Sequence, residues 1–349
     1  MIDGEAVAAG AALAAASSGL VAIALSSRNR NKKTDGADVE GQVRLLLFRA
    51  IDEGDLSAAA IEALTPLQQQ VLEAQAKKLL PSLRGKDRVT LGVVLDRLGA
   101  VDAARRQAKS KRAGARAEAG EFLGESGSPE AVRDLVQLLQ DPDAKVRWAA
   151  ARGLGRLGHP SAVPALLDSI EGTLPVPIDV VAGAVAEIRE CPVPLLREGL
   201  ASPSVPKRAL SVELLGRFQA LVAADEVIDL LHNDPSVEVR ARAARSLGRM
   251  GSPRAVQPLL GCVEDGPVAT RAQAIWALGE MGALEAVPVL RTTLLGSSHH
   301  LAELAADALA AVGPPGNQVL GEIAAGGSSA AALAARTLAA QENLLRSRA

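Results

Sequence analysis

The sequence predicts an all-α protein whose helix pairs stack into an α-solenoid, and three observations carry this prediction. Residues 141–158 read D-P-D-A-K-V-R-W-A-A-A-R-G-L-G-R-L-G, and residues 234–251 repeat the pattern as D-P-S-V-E-V-R-A-R-A-A-R-S-L-G-R-M-G. The two copies lie 93 positions apart, which is three steps of 31. Within each copy, apolar residues recur three or four positions apart, as on one buried face of a helix. Self-similarity at such a fixed period indicates stacked supersecondary units.

One arginine marks the register of the repeat, and we use it as the anchor position. Each unit is predicted to hold a short first helix and a second helix that carries the anchor. The steps between anchors are 30 to 32 residues, so seven anchored units follow one another. The anchor positions are Arg116, Arg147, Ile178, Arg208, Arg240, Arg271 and Ala302.

The repeats divide the chain into five predicted segments. Residues 103–323 hold the repeats, residues 39–102 form a helical cap of divergent repeats at the N-terminal end, and residues 324–349 hold a C-terminal capping helix. The polar run at 29–38 predicts a linker. Residues 1–28 are predicted to form a membrane anchor helix.

Turn residues at the ends of the second helix have predictable roles. Asp141 is suited to cap the helix, with Pro142 at its first position, where no N–H is missed. Gly158 is predicted to end the helix in a left-handed conformation. Gly155, inside the last turn, is predicted to let a neighbouring helix approach closely.

The membrane anchor is predicted from residues 6–27, which contain no charged side chain. As a helix this stretch is about 33 Å long, against about 30 Å of bilayer hydrocarbon. Arg28, Arg30, Lys32 and Lys33 follow it, so the positive-inside rule places the N-terminus outside and the repeats in the cytoplasm. We therefore predict a single-pass protein of the cell membrane. The alternative is an Ala-rich tail, disordered or helical.

A second basic run precedes the first anchored unit. Its side chains and the four basic residues after the predicted span are candidates for contact with anionic lipid or another polyanion. The alternative for the run is a solvated helix face. Its candidate residues are Arg105, Arg106, Lys109, Lys111 and Arg112.

Composition argues against several classes of function. The net charge is −2, and aromatic residues make up 1% of the chain. Nucleic-acid binding through the basic patch at 105–116 is therefore an alternative that lacks both a global positive charge and aromatic side chains for base stacking. Cys191 and Cys262 have no ligand-like spacing. We expect no nucleic acid, cofactor, metal or small-molecule substrate.

The pattern D-P-x-x-x-V-R-x-x-A-A-x-x-L-G-x-x-G, followed by A-V-x-P-L-L, resembles the HEAT repeat family, specifically the short HEAT-like repeats of bilin lyases. The resemblance covers roughly residues 103–323. It implies that each anchor arginine reaches the turn aspartate of a neighbouring repeat, as a ladder along the stack. Ile178 and Ala302 replace the arginine and Ser202 replaces an aspartate, so we predict an interruption near residues 173–179.

The family resemblance also implies that the second helices line the concave side, where outward positions can display a binding surface. Charges on these positions largely alternate in sign, which favours side-by-side ion pairs as the simplest interpretation. Both tryptophans of the chain, however, lie beside arginines on this side, and such residues dominate protein interfaces. The predicted partner-binding residues are Trp148, Arg152, Arg156, Arg245, Arg249, Trp276 and Glu280.

Catalysis finds little support in the sequence. HEAT-like di-iron hydroxylases carry several His-Glu pairs, whereas none of the four histidines here has a glutamate beside it. No phosphate loop or nucleophile elbow is present. We therefore expect a non-catalytic, membrane-tethered scaffold or adaptor that binds a protein partner, such as another membrane protein, on the cytoplasmic side. The alternative is an enzyme or chaperone of the bilin-lyase kind.

Overall fold

The computed structural model describes residues 34–188, 192–296 and 298–348; at 34–38 and 344–348 only the backbone is described. Every regular element in these ranges is a helix. Contacts divide the chain into two compact units, Met1–Ala76 and Lys77–Ala349. The all-α prediction is therefore confirmed for the described residues.

The first unit holds helix α1 (Thr34–Glu53), the short α2 (Ala58–Glu62) and the start of α3 (Pro66–Leu79). Helix α1 begins inside the segment 29–38 that the sequence predicts as a linker. Pro66 opens its helix as predicted. Thr65 and Gln68 form a reciprocal capping box there. The backbone N–H of Gln68 donates to Thr65 Oγ1 at 3.3 Å, and the backbone N–H of Thr65 donates to Gln68 Oε1 at 2.9 Å.

The second unit continues through α4 (Gly85–Arg97) to a series of helix pairs. The first helices of the pairs are α5 (Ala100–Gln107), α7 (Ala131–Leu138), α9 (Val163–Asp168), α11 (Val193–Leu200), α13 (Ala224–Asn233), α15 (Val256–Asp265) and α17 (Val287–Gly296). The second helices are α6 (Ala113–Glu125), α8 (Ala144–Leu157), α10 (Ile178–Glu187), α12 (Val205–Arg217), α14 (Val237–Met250), α16 (Val268–Glu280) and α18 (His299–Val312). Helices α19 (Pro314–Ala325) and α20 (Ala331–Arg348) follow.

The pairs stack in chain order. Each second helix packs beside its own first helix and against the second helices before and after it, and α19 and α20 continue the stack after α18. The predicted α-solenoid of helix pairs is confirmed. The division into a cap at 39–102, repeats at 103–323 and a terminal segment at 324–349 stays a prediction, and helix α5 spans the first of these boundaries.

Small side chains let the second helices approach closely. Val146, Ala150 and Leu154 of α8 are fully buried on one face, at the predicted spacing. A Cβ atom on Gly155 would lie 2.7 Å from the Cα of Ala184 in α10, closer than any real contact of this kind. The predicted role of this glycine in close packing is confirmed.

The second helix begins later than the sequence predicts. Helix α8 starts at Ala144, so Asp143 is its N-cap and accepts a hydrogen bond from the Lys145 amide at 2.8 Å. The prediction that Asp141 caps the helix and that Pro142 opens it is wrong, because both lie in the preceding turn. Gly158 does end α8 in the left-handed region, with φ 74°.

A helix that crosses a bilayer must be both long and apolar. Across residues 34–188, 192–296 and 298–348, no helix is both long enough and apolar enough to do so. The predicted span at residues 6–27 lies outside the described residues, as do Arg28, Arg30, Lys32 and Lys33.

Candidate protein-binding surface

Buried ion pairs join consecutive repeats and hold the second helices in register. Arg116 binds Asp141 of the next repeat in a bidentate pair, with Nε–Oδ2 at 2.6 Å and Nη2–Oδ1 at 2.8 Å. Its Nη1 donates to the carbonyls of Ser110 and Lys111. Because Arg116 bonds its charged form, the pKa of Asp141 lies below its ordinary value.

Arg208 forms the same bidentate pair with Asp234, with Nε–Oδ2 at 2.7 Å and Nη2–Oδ1 at 3.0 Å. Its Nη1 again donates to two carbonyls of its own turn, those of Ser202 and Pro203. Two of the five anchor arginines, Arg116 and Arg208, thus form the ladder pairs that the family resemblance implies. Within the described residues the other three, Arg147, Arg240 and Arg271, form no such pair, so the implied ladder is only partly present. Arg147 keeps the same Nη1 contacts, to the carbonyls of Asp141 and Pro142.

The ladder is interrupted after Arg147, as predicted. Gly172 stands 31 positions after Asp141, where the next turn acid would be, and the buried Nε of Arg147 has no hydrogen-bond partner among the residues that the structure describes. A different contact joins the repeat of Ile178 to the next repeat: Lys207 Nζ lies 2.9 Å from Asp168 and 3.2 Å from Glu171.

The N-terminal part of the second-helix face is a surface of paired charges. Arg152 lies 3.5 Å from Glu121, and Arg156 lies 2.9 Å from Glu125. The side-by-side ion pairs considered from the sequence are therefore present here. Burial raises the pKa of Glu125, and the charge of Arg156 opposes this rise. Trp148 is exposed on α8, at 37% of its surface.

A different arrangement surrounds the second tryptophan. The Arg245 guanidinium lies 5.3 Å from the centroid of the Trp276 ring, within the range of a cation–π contact. The indole is only half-buried and packs across helix α14, where its Cζ3 atom would lie 3.3 Å from a Cβ on Gly248. Arg249 lies one turn further along α14, half-buried, and Glu280 is exposed at the end of α16.

The predicted partner-binding residues therefore form two separate groups. Trp148, Arg152 and Arg156 lie on α8, whereas the remaining four lie on α14 and α16. Helices α10, α12 and α14 separate α8 from α16, so the two indoles lie about 30 to 40 Å apart at 8–10 Å per helix. A single short segment does not cover both groups.

An open groove of about 510 Å³ lies beside the second group. Its charged lining comprises Arg242, Arg245, Arg249 and Glu238 of α14 and Glu213 of α12, and Gln273 of α16 also lines it. The groove continues as a shallow depression between Arg245, Trp276 and two residues of α18, His300 and Leu304. The second helices α12 to α18 thus share one continuous concave feature.

Some residues of this groove were not among the sequence candidates. Arg242 and Gln273 stand two positions after the anchors Arg240 and Arg271. The common offset of two positions could have identified them, because it places both on the same side of successive second helices. The same offset from Ala302 gives Leu304, whereas His300, two positions before that anchor, required the structure.

The arginines of the groove differ in their ion pairing. Arg242 contacts Glu213 and also Glu238, the latter at 3.0 Å. Within the described part of the chain, Arg245 and Arg249 of the groove have no carboxylate within ion-pair distance, and neither has Arg217, which lies outside the groove at the adjacent end of α12. The groove therefore presents positive charge that the fold does not neutralise.

Acidic side chains lie beyond Trp276 on the same face. Glu303 contacts Arg336 at 2.8 Å, and this hydrogen bond lowers its pKa. The pKa of Asp307 is raised by burial and by the charge of Glu303. The face thus changes from basic at α12 and α14 to acidic at α18.

The basic patch near residue 105 is partly neutralised. Arg105 lies 2.8 Å from Asp134 and 3.7 Å from Asp102. The other four candidates for polyanion contact, Arg106, Lys109, Lys111 and Arg112, are exposed around the turn between α5 and α6. Their role in binding lipid or another polyanion stays a prediction.

Residues with reactive or metal-binding side chains are scattered in the described ranges. No three His, Cys, Asp or Glu side chains in 34–188, 192–296 and 298–348 come together as a metal site would require. Burial raises the pKa of Cys262 and so disfavours its thiolate. His299 lies 3.4 Å from Glu303, four positions later in α18.

Two family models match the repeats. The model of HEAT repeats matches residues 101–177 and 193–270, and the model of the PBS lyase HEAT-like repeat matches residues 270–296. The resemblance stated from the sequence is confirmed by both.

Two curated relatives were found with partial overlap. A HEAT repeat-containing taxis protein of Halobacterium salinarum is 30% identical over 162 residues, 46% of this chain and 37% of the relative. The phycocyanobilin lyase subunit alpha of Synechococcus elongatus is 47% identical over 57 residues, 16% of this chain and 21% of the relative. The matched regions therefore span well under half of either relative.

Among solved structures, the complex of CpcE and CpcF of phycocyanin lyase from Nostoc sp. PCC7120 is similar to this chain. The sequence identity is 21%, and the alignment covers 82% of this chain and 95% of the other. The TM-score is 0.27.

Proposed function

Because this chain is a HEAT-repeat protein, we propose that it is a membrane-tethered scaffold that holds a protein partner on its second-helix face. One observation carries the proposal: the groove at α12, α14 and α16 and its adjoining depression combine a half-exposed indole, Trp276, with two arginines, Arg245 and Arg249, that have no carboxylate partner among the described residues. Tryptophan and arginine contribute more binding energy at protein interfaces than other residue types.

The paired surface at α8 makes a useful contrast. There the arginines already meet glutamates of the neighbouring repeat, and exposed pairs of this kind contribute under about 1 kcal/mol and keep a surface soluble. At α14 the charge is available to a partner instead. The groove near Trp276 is therefore the better candidate of the two groups.

The proposed tether is the segment 6–27, followed by basic residues that orient it with the repeats in the cytoplasm. Vesicle flotation of the full-length protein tests this part. We expect the natural sequence to float with the lipid and the variant L20K/I23K to remain in the dense fraction, because each lysine opposes insertion by about 2.5–3.5 kcal/mol. The control is L45K, at an exposed position of α1. Equal flotation of all three proteins would contradict the tether.

Crosslinking in intact cells tests the scaffold role. A photoreactive amino acid replaces Gln273, which lines the groove, and in a control replaces Glu264, exposed on the first helix α15. We expect a discrete protein adduct from position 273 that position 264 does not give. The same adducts from both positions, or none from 273, would contradict a protein partner on this face.

A second candidate function follows from the relative among the lyases. The 57 residues that are 47% identical to a phycocyanobilin lyase subunit support a lyase-like or chaperone role toward a tetrapyrrole-carrying protein. Equilibrium binding of a linear tetrapyrrole, followed by its visible absorption, tests this role. Saturable binding would favour the lyase-like function, and an unchanged spectrum would leave the scaffold as the only candidate.

A further inference from the structure

We propose that the groove at α12, α14 and α16 binds an acidic linear segment of the partner protein. Carboxylates of this segment would pair with Arg217, Arg245 and Arg249, and a neighbouring apolar side chain would lie on Trp276. The inference rests on the proposed function, because it states the chemistry of the partner that the second-helix face holds.

The first argument is a break in the charge alternation of the second helices. Nine positions after the anchors, neighbouring repeats carry opposite charges at Glu125 and Arg156, which form an ion pair. At the same offset Arg217 and Arg249 are consecutive and share one sign. The side chain of Gln219 reaches the Arg249 carbonyl at 3.4 Å, so these helix ends are adjacent. Two like charges side by side favour an anion between them.

The second argument comes from the pairing of Glu213. Five positions after the anchors, Glu213 and Arg245 would be expected to pair across neighbouring repeats, as Glu121 and Arg152 do. Glu213 instead contacts Arg242, and Arg245 lies over the Trp276 ring. Its guanidinium therefore remains without a carboxylate from the fold.

The third argument is that charged residues and then apolar residues follow one another along the groove. Arg245 borders both the charged groove and the depression that contains Trp276 and Leu304. The Arg245 guanidinium lies 5.3 Å from the centroid of the Trp276 ring, and an extended chain advances about 3.3 Å per residue. A segment with a carboxylate about two residues from an apolar side chain therefore matches the spacing of these two groups.

Fluorescence anisotropy of labelled peptides on the full-length protein tests the inference. The probe is an eight-residue peptide with three acidic residues followed by leucine, and its matched control has glutamine and asparagine in place of the acids. We expect the acidic probe to bind at least tenfold more tightly and to lose affinity as salt is raised. The variant R245E/R249E should bind it at least tenfold more weakly, with unchanged circular dichroism.

The matched protein control is R254E, which reverses an exposed arginine of a turn before a first helix, paired there with Asp225 at 2.9 Å. It should change the affinity less than twofold. Equal affinity for the acidic and amide probes, or equal effects of the two charge reversals, would overturn the inference. Tighter groove binding by a single-stranded oligonucleotide than by the acidic probe would also overturn it.

Failure of the inference is distinguishable from failure of the proposed function. If position 273 crosslinks to a protein whose contact segment is not acidic, the scaffold stands and the acidic segment is wrong. If position 273 gives no protein adduct while the acidic probe binds, the groove chemistry stands and the scaffold role is wrong.

Discussion

Arg208 and Asp234 form a buried bidentate ion pair between consecutive repeats, with Nε–Oδ2 at 2.7 Å and Nη2–Oδ1 at 3.0 Å. The Asp234 side chain is 1% exposed, so its charge depends on this pair for compensation. Arg147 occupies the equivalent place in an earlier repeat without a carboxylate on its Nε. The two arginines therefore make matched substitutions possible.

We expect Arg208→Met to lower the free energy of unfolding by about 3 kcal/mol or more, because it leaves a buried carboxylate without its cation. Arg147→Met should cost less, since it removes a buried cation that bonds two backbone carbonyls but has no carboxylate partner in the described residues, and so leaves no buried charge uncompensated. Urea unfolding of both variants measures the difference. Equal losses would contradict the account of the interrupted ladder.

Acid should weaken the stack through the turn aspartates. Hydrogen bonds from Arg116 lower the pKa of Asp141. Burial alone would raise the pKa of Asp234, but hydrogen bonds from Arg208 and from the Ser236 backbone N–H outweigh burial, so the pKa of Asp234 is also lowered. A carboxyl with a lowered pKa stabilises the fold above its unfolded pKa, here about 3.8, and this stabilisation is lost as pH falls through the folded pKa.

The measurement is the free energy of unfolding between about pH 5 and pH 1. The natural sequence should lose stability steeply below the ordinary pKa of aspartate. The variant D141N/D234N should start less stable at neutral pH and lose less on acidification. A steeper loss in the variant than in the natural sequence would show that other groups dominate.

Close packing of the second helices should tolerate no added methyl group at Gly155. A Cβ there would meet the backbone of Ala184 at 2.7 Å, so we expect Gly155→Ala to destabilise the protein by about 1–3 kcal/mol. The control is Gly183→Ala on α10, where a Cβ meets nothing within 4 Å. This control should stabilise the protein by roughly 0.5–1 kcal/mol through helix propensity. Thermal unfolding distinguishes the two signs.

Lys207 should stabilise the packing of α10, where the ladder of ion pairs is interrupted. Its ion pairs with Asp168 and Glu171 join the repeat of Ile178 to the next repeat. Lys207→Met is expected to change the global stability by less than about 1 kcal/mol, because partly exposed ion pairs contribute little. Amide exchange in α10 should nevertheless become faster. The exposed Lys145 supplies the control, Lys145→Met, for which exchange in α10 should not change.

The sequence determines the repeat and its packing more completely than it determines the surface. The 31-residue period, the buried stripe from Val146 and the close-approach role of Gly155 all follow from local patterns that recur along the chain, although alanine replaces the glycine in the repeats of Ile178 and Ala302. The start of α8 at Ala144 did not follow, because Asp141 and Asp143 are both good capping residues. The family resemblance implies that Arg116 engages the first of them, and the structure shows that the cap then falls to the second.

The candidate surface was predicted only in part for a similar reason. Outward positions can be read from the anchor offset, and this identified Arg245, Arg249 and Trp276. Their ion pairing depends on which side chain of the neighbouring repeat each one contacts. Glu213, for example, contacts Arg242. The separation of Trp148 from Trp276 is a property of the stack rather than of any single repeat.

The affinity of the partner captured at position 273 tests the central claim most directly. Its dissociation constant should rise at least tenfold for Trp276→Ala, since interface tryptophans commonly contribute 2 kcal/mol or more, and should change less than twofold for Trp148→Ala. Both variants must retain the natural far-ultraviolet circular dichroism for the comparison. An unchanged dissociation constant for Trp276→Ala would contradict the claim that this groove holds the partner.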